Sequence, residues 1–384
     1  MKIIPPCDVF GRCGGCQYQD IPYAKELALK EQHIRALFQD VAPGPLEGFQ
    51  AHPKAGPSGA SPAKARDALG DPGEALLHPE DIIQPIVPSP KVYHYRSRMD
   101  MKFLRIKKGD TFMGFTPAPK GYLIEVNKCP IAMEAISDFL PQLKQEASAR
   151  MPAGGRNANL VVKTGDDGRV YWGGIGRRSL RQREADYLFT EIDGKKVFYS
   201  LETFFQANLG ILPQLFSCLK ALHSFDKQTV LWDLYAGVGL FGVMLAREVA
   251  QVVMIEENKH ATKVAHYNVA HHGLDNCEVL SGFLEGHETR LAPLRRPPDP
   301  HAAPKHVAII DPPRNGLSRH ALKILGPLHG LDALFYLSCQ PEALRRDVAH
   351  LQQQGWTLTK IIPFDFFPRT RHIETLAVLQ PKRE

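Results

Sequence analysis

From about residue 201 onward, short apolar runs alternate with segments of helical length. TVLWDLYAG, VVMIEEN, HVAIIDPP, ALFYLSC and TLTKIIPFDFF predict five strands, each almost continuously apolar, with helices between them. Strands of that kind, alternating with helices, predict a parallel sheet covered on both faces. The stretch LAPLRRPPDPHAAPKH, residues 291–306, predicts a loop, because Pro297, Pro298 and Pro300 exclude a helix interior. Upstream the pattern changes. Between about residues 90 and 199 apolar and charged positions alternate, as in VYHYRSRMDMKFLRIKKGDTFMGFT, which predicts strands with a turn at Lys108, Gly109 and Asp110. NLVVKTG and VYWGGIG add a second strand group, residues 187–199 predict a hairpin turning at Asp193 and Gly194, and residues 133–145 predict a helix. Near the start, Leu27, Lys30, Ile34 and Leu37 fall at helical spacing within a helix predicted over 23–37. There is no internal repeat.

These patterns divide the chain into four parts: 1–40, a cysteine cluster and helix; 41–85, an Ala/Pro/Gly-rich insertion or exposed loop; 86–200, a central α+β domain; and 201–384, a Rossmann-like α/β domain. At 384 residues and 43% hydrophobic, the chain can bury two cores. A net charge of +6 suits a polyanionic partner without establishing one. The start, MKIIPPCDVFGRCGGC, lacks the apolar run of a secretory signal, and no stretch approaches the roughly 18–20 consecutive apolar residues of a membrane span. Seven cysteines without a signal point to a reducing cytoplasm rather than a disulfide scaffold. A cytoplasmic protein with no membrane association and no obligate protein partner is expected.

Candidate chemistry clusters in the C-terminal half. DLYAGVGLFG, residues 233–242, follows a predicted strand and opens a helix. Gly237 and Gly239 there let a ligand approach closely, and helix-start N–H groups can hold a carboxylate. Glu256 ends the next strand, where an acid can accept both hydroxyls of a ribose. Asp311 opens DPPR at the mouth of another strand. Cys339 follows ALFYLS, and Pro341 stiffens the loop behind it. Glu374 follows FFPRTRH, whose Arg369, Arg371 and His372 place positive charge near the carboxylate; Arg371 and His372 are candidate phosphate contacts. Arg314 and Asn315, and more weakly Arg345 and Arg346, are further candidates for substrate contact. A thiol and a carboxylate around one ring suit methylation of a pyrimidine at carbon 5. A thiolate adds at carbon 6, carbon 5 then attacks a methyl donor, and a base removes the carbon 5 proton.

Two further groupings stand apart. Cys7, Cys13 and Cys16 have the spacing C-x5-C-x2-C, with Cys129 as a fourth candidate; four thiolates suit zinc or an iron–sulfur cluster, and spacing does not choose between them. Tyr93, Tyr95, Arg96, Arg98, Lys102, Arg105, Lys107 and Lys108 combine aromatic rings with positive charge, the composition that phosphate contact plus base stacking requires.

FFQAN, DLYAGVGLFG, DPPRNGL, SCQPEALRRD and FPRTRHIE occur in that order, and with them the chain resembles the S-adenosylmethionine-dependent RNA 5-methyluridine methyltransferases, enzymes of 23S ribosomal RNA and of the transfer RNA T loop. The likeness spans nearly the whole chain apart from residues 40–85. It implies an α/β fold with a C-terminal Rossmann-like methyltransferase domain, an N-terminal iron–sulfur region and a central α+β domain. It implies Cys339 as nucleophile and Glu374 as base. Gln206 would lie beside the methionine part of S-adenosylmethionine, and Phe204 would stack on the target base. Tyr235, Glu256 and Asp311, with the Asp233–Gly239 turn, would hold the cofactor. CGGCQYQ with the distant Cys129-Pro130 resembles the family's [4Fe-4S] site and so favours that cluster over zinc at Cys7, Cys13, Cys16 and Cys129. Two departures stand out: LSGFLEG (280–286) lacks the acid that family members often place near the adenine, and Gln340 replaces an Asn after the nucleophile.

Family members often carry an N-terminal β-barrel for RNA, and Cys7 leaves no room for one before it. RNA would then rest on the central domain and the catalytic face, with Arg96, Arg98, Arg314, Arg371, His372 and Phe204 as contacts. That absence and the basic central domain favour 23S ribosomal RNA over transfer RNA, and the cluster leans the same way. An amino-methylating base methyltransferase and a catalytically silent RNA-binding assembly factor are the alternatives; neither needs Cys339 or Glu374.

Overall fold

The structure, a computed structural model, describes residues 2–41, 82–107, 109–117, 121–176, 178–296 and 304–382. Most of the 41–85 segment, Lys108 within its predicted turn, and the prolines Pro297, Pro298 and Pro300 lie outside the described residues.

Helix α1 (Tyr23–Phe38) comes first. An antiparallel sheet follows, made of β1 (Arg98–Arg105), β2 (Thr111–Phe115), β3 (Ile124–Glu125) and, after helix α2 (Glu134–Arg150), β4 (Asn157–Thr164) and β5 (Val170–Gly173). Its spatial order is β3-β2-β1-β4-β5. The alternation in β1 has the expected consequence. Met99, Met101 and Phe103 are buried with Leu160 and Val162 of β4 and Leu140 and Leu143 of α2, while Asp100 and Lys102 are exposed.

The hairpin of β6 (Leu188–Ile192) and β7 (Lys195–Tyr199) turns at Asp193 and Gly194, both with positive φ, as a tight hairpin turn demands. Its Leu188, Ile192, Val197 and Tyr199 join the core of the C-terminal half. Buried Asn268 bridges the two: its side chain accepts from Phe198 N–H and donates to the carbonyls of Phe198 and Val238.

The C-terminal half continues with α3 (Leu212–Leu222), β8 (Thr229–Leu234), α4 (Leu240–Leu245), β9 (Gln251–Glu256), α5 (Lys259–His271), β10 (Cys277–Ser281), β11 (Lys305–Ile310), α6 (Arg319–Leu325), β12 (Ala333–Ser338), α7 (Pro341–Gln353), β13 (Trp356–Phe364) and β14 (Glu374–Pro381). Every residue of β8 and β12 is buried, because apolar layers cover both faces of the sheet. Asn258 caps α5 through Oδ1, Ser318 caps α6 through Oγ, and Pro341 opens α7.

The sheet has seven strands in the order β10-β9-β8-β11-β12-β14-β13, not the five expected. β10 escaped notice because it is an edge strand, only half-buried and weakly patterned. β14 inserts between β12 and β13, antiparallel to both, so the TLTKIIPFDFF strand keeps the common direction but has no parallel neighbour. Helix α1 packs Ile34 and Phe38 into the same C-terminal core. Its buried face is Glu26, Lys30, Ile34 and Phe38, with Leu27 and Leu37 only half-buried. Among the described residues no helix is long and apolar enough to cross a membrane.

Candidate active site

One edge of the seven-stranded sheet gathers the chemistry. Ser338 of β12 pairs with Thr375 of β14, and one antiparallel step further sets Cys339 beside Glu374. On the other side of β12, Ile310 pairs with Tyr336, which brings Asp311 to the same edge. Gln206 Nε2 donates to Asp311 Oδ2 at 2.9 Å, tying the FFQAN loop to DPPR. Glu374 is buried, Cys339 is half-buried, and Phe204 stands 62% exposed at the mouth.

The edge is buried and rich in acid, and burial first, with neighbouring acids adding to it, raises its proton affinities. Burial, then the charges of Glu374 and Asp311, push the Cys339 thiol up to about 12, with Arg314 pulling it down. Burial and Asp311 hold Glu374 well above the usual carboxylate range, again opposed by Arg314. Asp311 is raised by desolvation against its Gln206 hydrogen bond. Burial raises Asp233 to about 8, although its carboxylate accepts the Gly242 N–H at 2.8 Å. Arg314 is thus the cation that favours ionising both Cys339 and Glu374.

The sign for stability follows. A carboxyl whose folded pKa lies above its unfolded value of about 4 stabilises the fold fully below that value. That contribution is lost as pH rises through the folded pKa. For Asp233 the window runs from about 4 to about 8. The melting temperature is therefore expected to fall between about pH 5 and pH 8, and Asp233→Asn is expected to flatten the fall by about one proton. Calorimetry across that range checks this; equal slopes in the two proteins would contradict it.

The glycine turn is shaped for a ligand. Tyr235 has a φ of +62°, a left-handed conformation that costs a non-glycine residue about 1–3 kcal/mol. Gly237 has a φ of +57°, and a Cβ there would meet nothing within 4 Å, so space above it is open. Gly239 is required for another reason: a Cβ would sit 2.9 Å from Met254 Sδ, where helix and strand pack. Glu256 accepts the N–H of Gly237 at 2.8 Å and of Asn258 at 2.7 Å, and its oxygens retain lone pairs for further donors. Beside this turn lies a cavity of about 230 Å³, lined in part by Tyr235, Ile255, Glu257, Phe283, Glu285 and Pro313. Phe283 is 66% exposed there. An apolar, aromatic and acidic lining beside an open glycine turn fits a nucleoside carrying a cationic amino-acid tail, and so fits S-adenosylmethionine.

The ends of two motifs interlock. Asp347, buried in α7, accepts Leu317 N–H and Tyr336 O–H, each at 2.7 Å, and Arg346 reaches both Asp347 and the Asn315 carbonyl. A Cβ on Gly316 would collide with Asp347 Oδ2 at 2.4 Å. The tail of SCQPEALRRD therefore clamps the DPPRNGL loop, a role for Arg346 that motif reading missed. Arg345 instead faces Asp40 at 3.9 Å, and the Gln340 amide turns outward to Glu342.

The basic stretch is more engaged than its composition suggests. Tyr95 is buried and donates to the Pro368 carbonyl, and Tyr93 lies under the Arg369 guanidinium. Arg98 forks onto Asp100, and Arg105 caps α2 at the carbonyls of Ser148 and Pro152. Arg96 donates to the Arg98 carbonyl and lies over Phe367. Lys102 and Lys107 are exposed, as are Arg314, Arg371 and His372, and the His372 imidazole is held below its ordinary value by desolvation and by Arg314, Arg371 and Arg96.

The expected iron–sulfur region is corrected. Cys7, Cys13, Cys16 and Cys129 do line one cavity of about 230 Å³, on the side of Arg96 and His372. Among the described residues, however, no group of three or more His, Cys, Asp or Glu side chains is arranged to hold a metal ion. Neither the [4Fe-4S] cluster nor zinc is supported, and the N-terminal region is not a metal-binding one in this structure. The physical reason is that spacing fixes proximity only, whereas a tetrahedral thiolate site needs its Sγ atoms to converge on one point about 2.3 Å away.

Comparison with known proteins completes the picture. Residues 177–382 match the family described as tRNA (Uracil-5-)-methyltransferase. An uncharacterised RNA methyltransferase of Thermosynechococcus vestitus is 27% identical, covering 98% of this chain and 84% of its own. The tRNA (uracil(54)-C(5))-methyltransferase of Schizosaccharomyces pombe is 25% identical, covering 97% of this chain and 65% of its own. The Pyrococcus abyssi tRNA (uracil-54, C5)-methyltransferase, solved with S-adenosyl-L-homocysteine, shares the fold at a TM-score of 0.63 and 19% identity, covering 95% of this chain and 85% of that one.

Proposed function

The chain belongs to the tRNA (uracil-5-)-methyltransferase family and is an S-adenosylmethionine-dependent RNA uracil-C5 methyltransferase; from that premise we propose that Cys339 and Glu374 methylate uridine 54 of transfer RNA through a covalent adduct. The observation that carries the mechanism is the pairing of β12 with β14, which sets a thiol and a buried carboxyl side by side at the sheet edge. The Cys339 thiolate forms a bond to carbon 6, and the ring becomes enolate-like. Bound S-adenosylmethionine would supply the electrophilic methyl group that carbon 5 attacks, its S–CH3 bond breaking to leave S-adenosylhomocysteine. Glu374 takes the carbon 5 proton, the electron pair re-forms the C5=C6 bond, and the Cys339 thiolate leaves. Arg314 favours the ionised forms of both residues. Gln206 and Asp311 hold the cofactor side of the ring, and exposed Phe204 stacks on the target base, which must leave its helix stack to reach Cys339.

The choice of transfer RNA replaces the ribosomal expectation. That expectation rested on the lack of an extra barrel and on a basic central domain, with support from an iron–sulfur cluster now withdrawn, whereas the relatives named for a substrate act on uracil 54 of transfer RNA. Residues 201–384, with the β6–β7 hairpin and α1 packed on them, form the catalytic unit in this reading. The central domain contributes RNA contacts through Arg96 and Lys102, and Arg314 of the DPPR loop adds another at the catalytic edge. Incubating methyl-labelled cofactor with an unmodified tRNA transcript and, separately, a 23S ribosomal RNA transcript tests the choice. Label is expected in the transfer RNA alone; label in the ribosomal RNA alone would overturn it.

For the cofactor, Phe283 stacks on the adenine where family members often place an acid. Phe283→Ala is expected to weaken S-adenosylmethionine binding roughly tenfold, the value of about 1.4 kcal/mol of lost stacking. Isothermal titration checks this, and an unchanged Kd would remove Phe283 from the site.

A further inference from the structure

Four charged side chains are buried together where α1 meets the loop that delivers Glu374. Glu26, Lys30 and Asp365 are 0%, 2% and 0% exposed, and Arg369 is 5% exposed. Lys30 Nζ uses all three of its protons: on Glu26 Oε1 at 2.8 Å, Asp365 Oδ1 at 2.6 Å and the Phe367 carbonyl at 3.2 Å. Tyr23 donates its hydroxyl to Asp365 Oδ2 at 2.8 Å. Glu26 Oε1 also accepts the Arg369 N–H at 2.7 Å, while Arg369 Nη1 donates to the carbonyls of Ile21 at 2.9 Å and Tyr18 at 3.2 Å.

The same N-terminal segment grips the loop backbone directly. Gln17 and Tyr18 N–H groups donate to the Arg369 carbonyl at 2.9 and 3.1 Å, and Gln17 Oε1 accepts Arg371 N–H at 3.0 Å. Arg369 is held at a φ of +68°, a conformation disfavoured for a side chain of its kind. The loop 365–373 has no helix or strand of its own, and it ends at Glu374.

Burying two cations and two anions is a poor route to stability, since apolar residues of similar volume often do as well. What such a network adds is direction: each hydrogen bond permits one placement of the loop. Here one carboxylate oxygen, Glu26 Oε2, is left without a hydrogen-bond partner, which is a cost the fold carries at this spot. The network joins residues more than 330 positions apart, and its far side is the segment that aims the proposed base.

We infer that α1 is a positioning element for catalysis: the Glu26–Lys30–Asp365–Arg369 network fixes the 365–373 loop so that Glu374 meets the carbon 5 proton. The inference rests on the proposed role of Glu374. Neither Glu26 nor Lys30 touches the reacting atoms, so both act through the loop. A loosened loop leaves nucleophilic attack by Cys339 intact, because Cys339 directly follows β12 and is not on that loop, and slows the step that needs the base. The methylated adduct then persists.

The test uses the full-length enzyme with a tRNA transcript and the cofactor. The double substitution Glu26→Leu/Lys30→Met removes one positive and one negative charge together and keeps an apolar contact, and thermal melting of the variant checks that it folds. Its kcat is expected to fall at least tenfold, with KM for RNA and cofactor affinity within about twofold. A denaturation-resistant protein–RNA adduct carrying the methyl label is expected to accumulate. Lys30→Arg, which keeps the cation, is expected to recover most of the turnover. Wild-type turnover in the double variant overturns the inference, and so does loss of activity that follows thermal unfolding with no adduct. Glu374→Gln run in parallel separates the two layers: if it too forms no adduct, the role given to Glu374 is wrong, and the division of the double variant's loss between kcat and KM decides the inference alone.

Discussion

Cys339→Ala is expected to lose methyl transfer by roughly 10⁴-fold or more while still binding S-adenosylmethionine, because the addition at carbon 6 has no substitute nucleophile. The Cys339 environment sharpens this. The thiol is half-buried and pushed up to about 12, so the free protein holds little thiolate near neutral pH. Alkylation of Cys339 in the ligand-free enzyme should therefore be slow and should rise roughly tenfold per pH unit between about pH 7 and pH 9. Mass spectrometry of alkylated peptides reads this residue by residue. Fast, pH-independent labelling of Cys339 would mean that the acidic edge does not govern its reactivity. Cys218 and Cys277, raised to about 11 by burial within the core, serve as internal references.

Glu374→Gln should behave differently, and the contrast tells the two roles apart. Glutamine keeps the shape of the side chain but cannot take a proton. Turnover is expected to drop by roughly 10²–10⁴-fold, the range for loss of a general base, while the adduct on Cys339 accumulates. The pH sign is fixed by the raised proton affinity of Glu374. Its base form is scarce at low pH, so wild-type kcat should climb as pH rises, and the residual rate of the glutamine variant should lack that contribution. Gel electrophoresis under denaturing conditions with labelled RNA measures the adduct. A variant that loses turnover without trapping RNA would place Glu374 before the addition step instead of after it.

That Cys339 and Glu374 meet at one sheet edge was legible from the sequence, since SCQP follows an apolar strand and the family resemblance pairs it with TRHIE; their catalytic roles belong to the proposal. The turn carrying Gly237, the acid at Glu256 and the DPPR loop were legible for the same reason: strand ends in a parallel sheet point to one edge. What the sequence hid depends on contacts between distant segments. Lys30 fell on a helical stripe beside Ile34; one partner, Glu26, is a turn away, but the other, Asp365, comes from the far end of the chain. Asp347, the last residue of SCQPEALRRD, carried no assigned role, yet it clamps Leu317 and Tyr336. The insertion of β14 between β12 and β13 was also invisible, since apolar runs show that strands exist but not their neighbours. The cysteines misled in the opposite direction: close spacing at Cys7, Cys13 and Cys16 suggested a ligand set that the fold does not assemble.

The central claim is carbon 5 methylation through Cys339, and tritium release tests it most directly. A tRNA transcript labelled with tritium at carbon 5 of its uridines is incubated with S-adenosylmethionine and either wild-type enzyme or Cys339→Ala. The account predicts that wild-type enzyme releases one tritium for each methyl group incorporated, and that the alanine variant releases none. Methyl incorporation without tritium release, or release that survives Cys339→Ala, would contradict it.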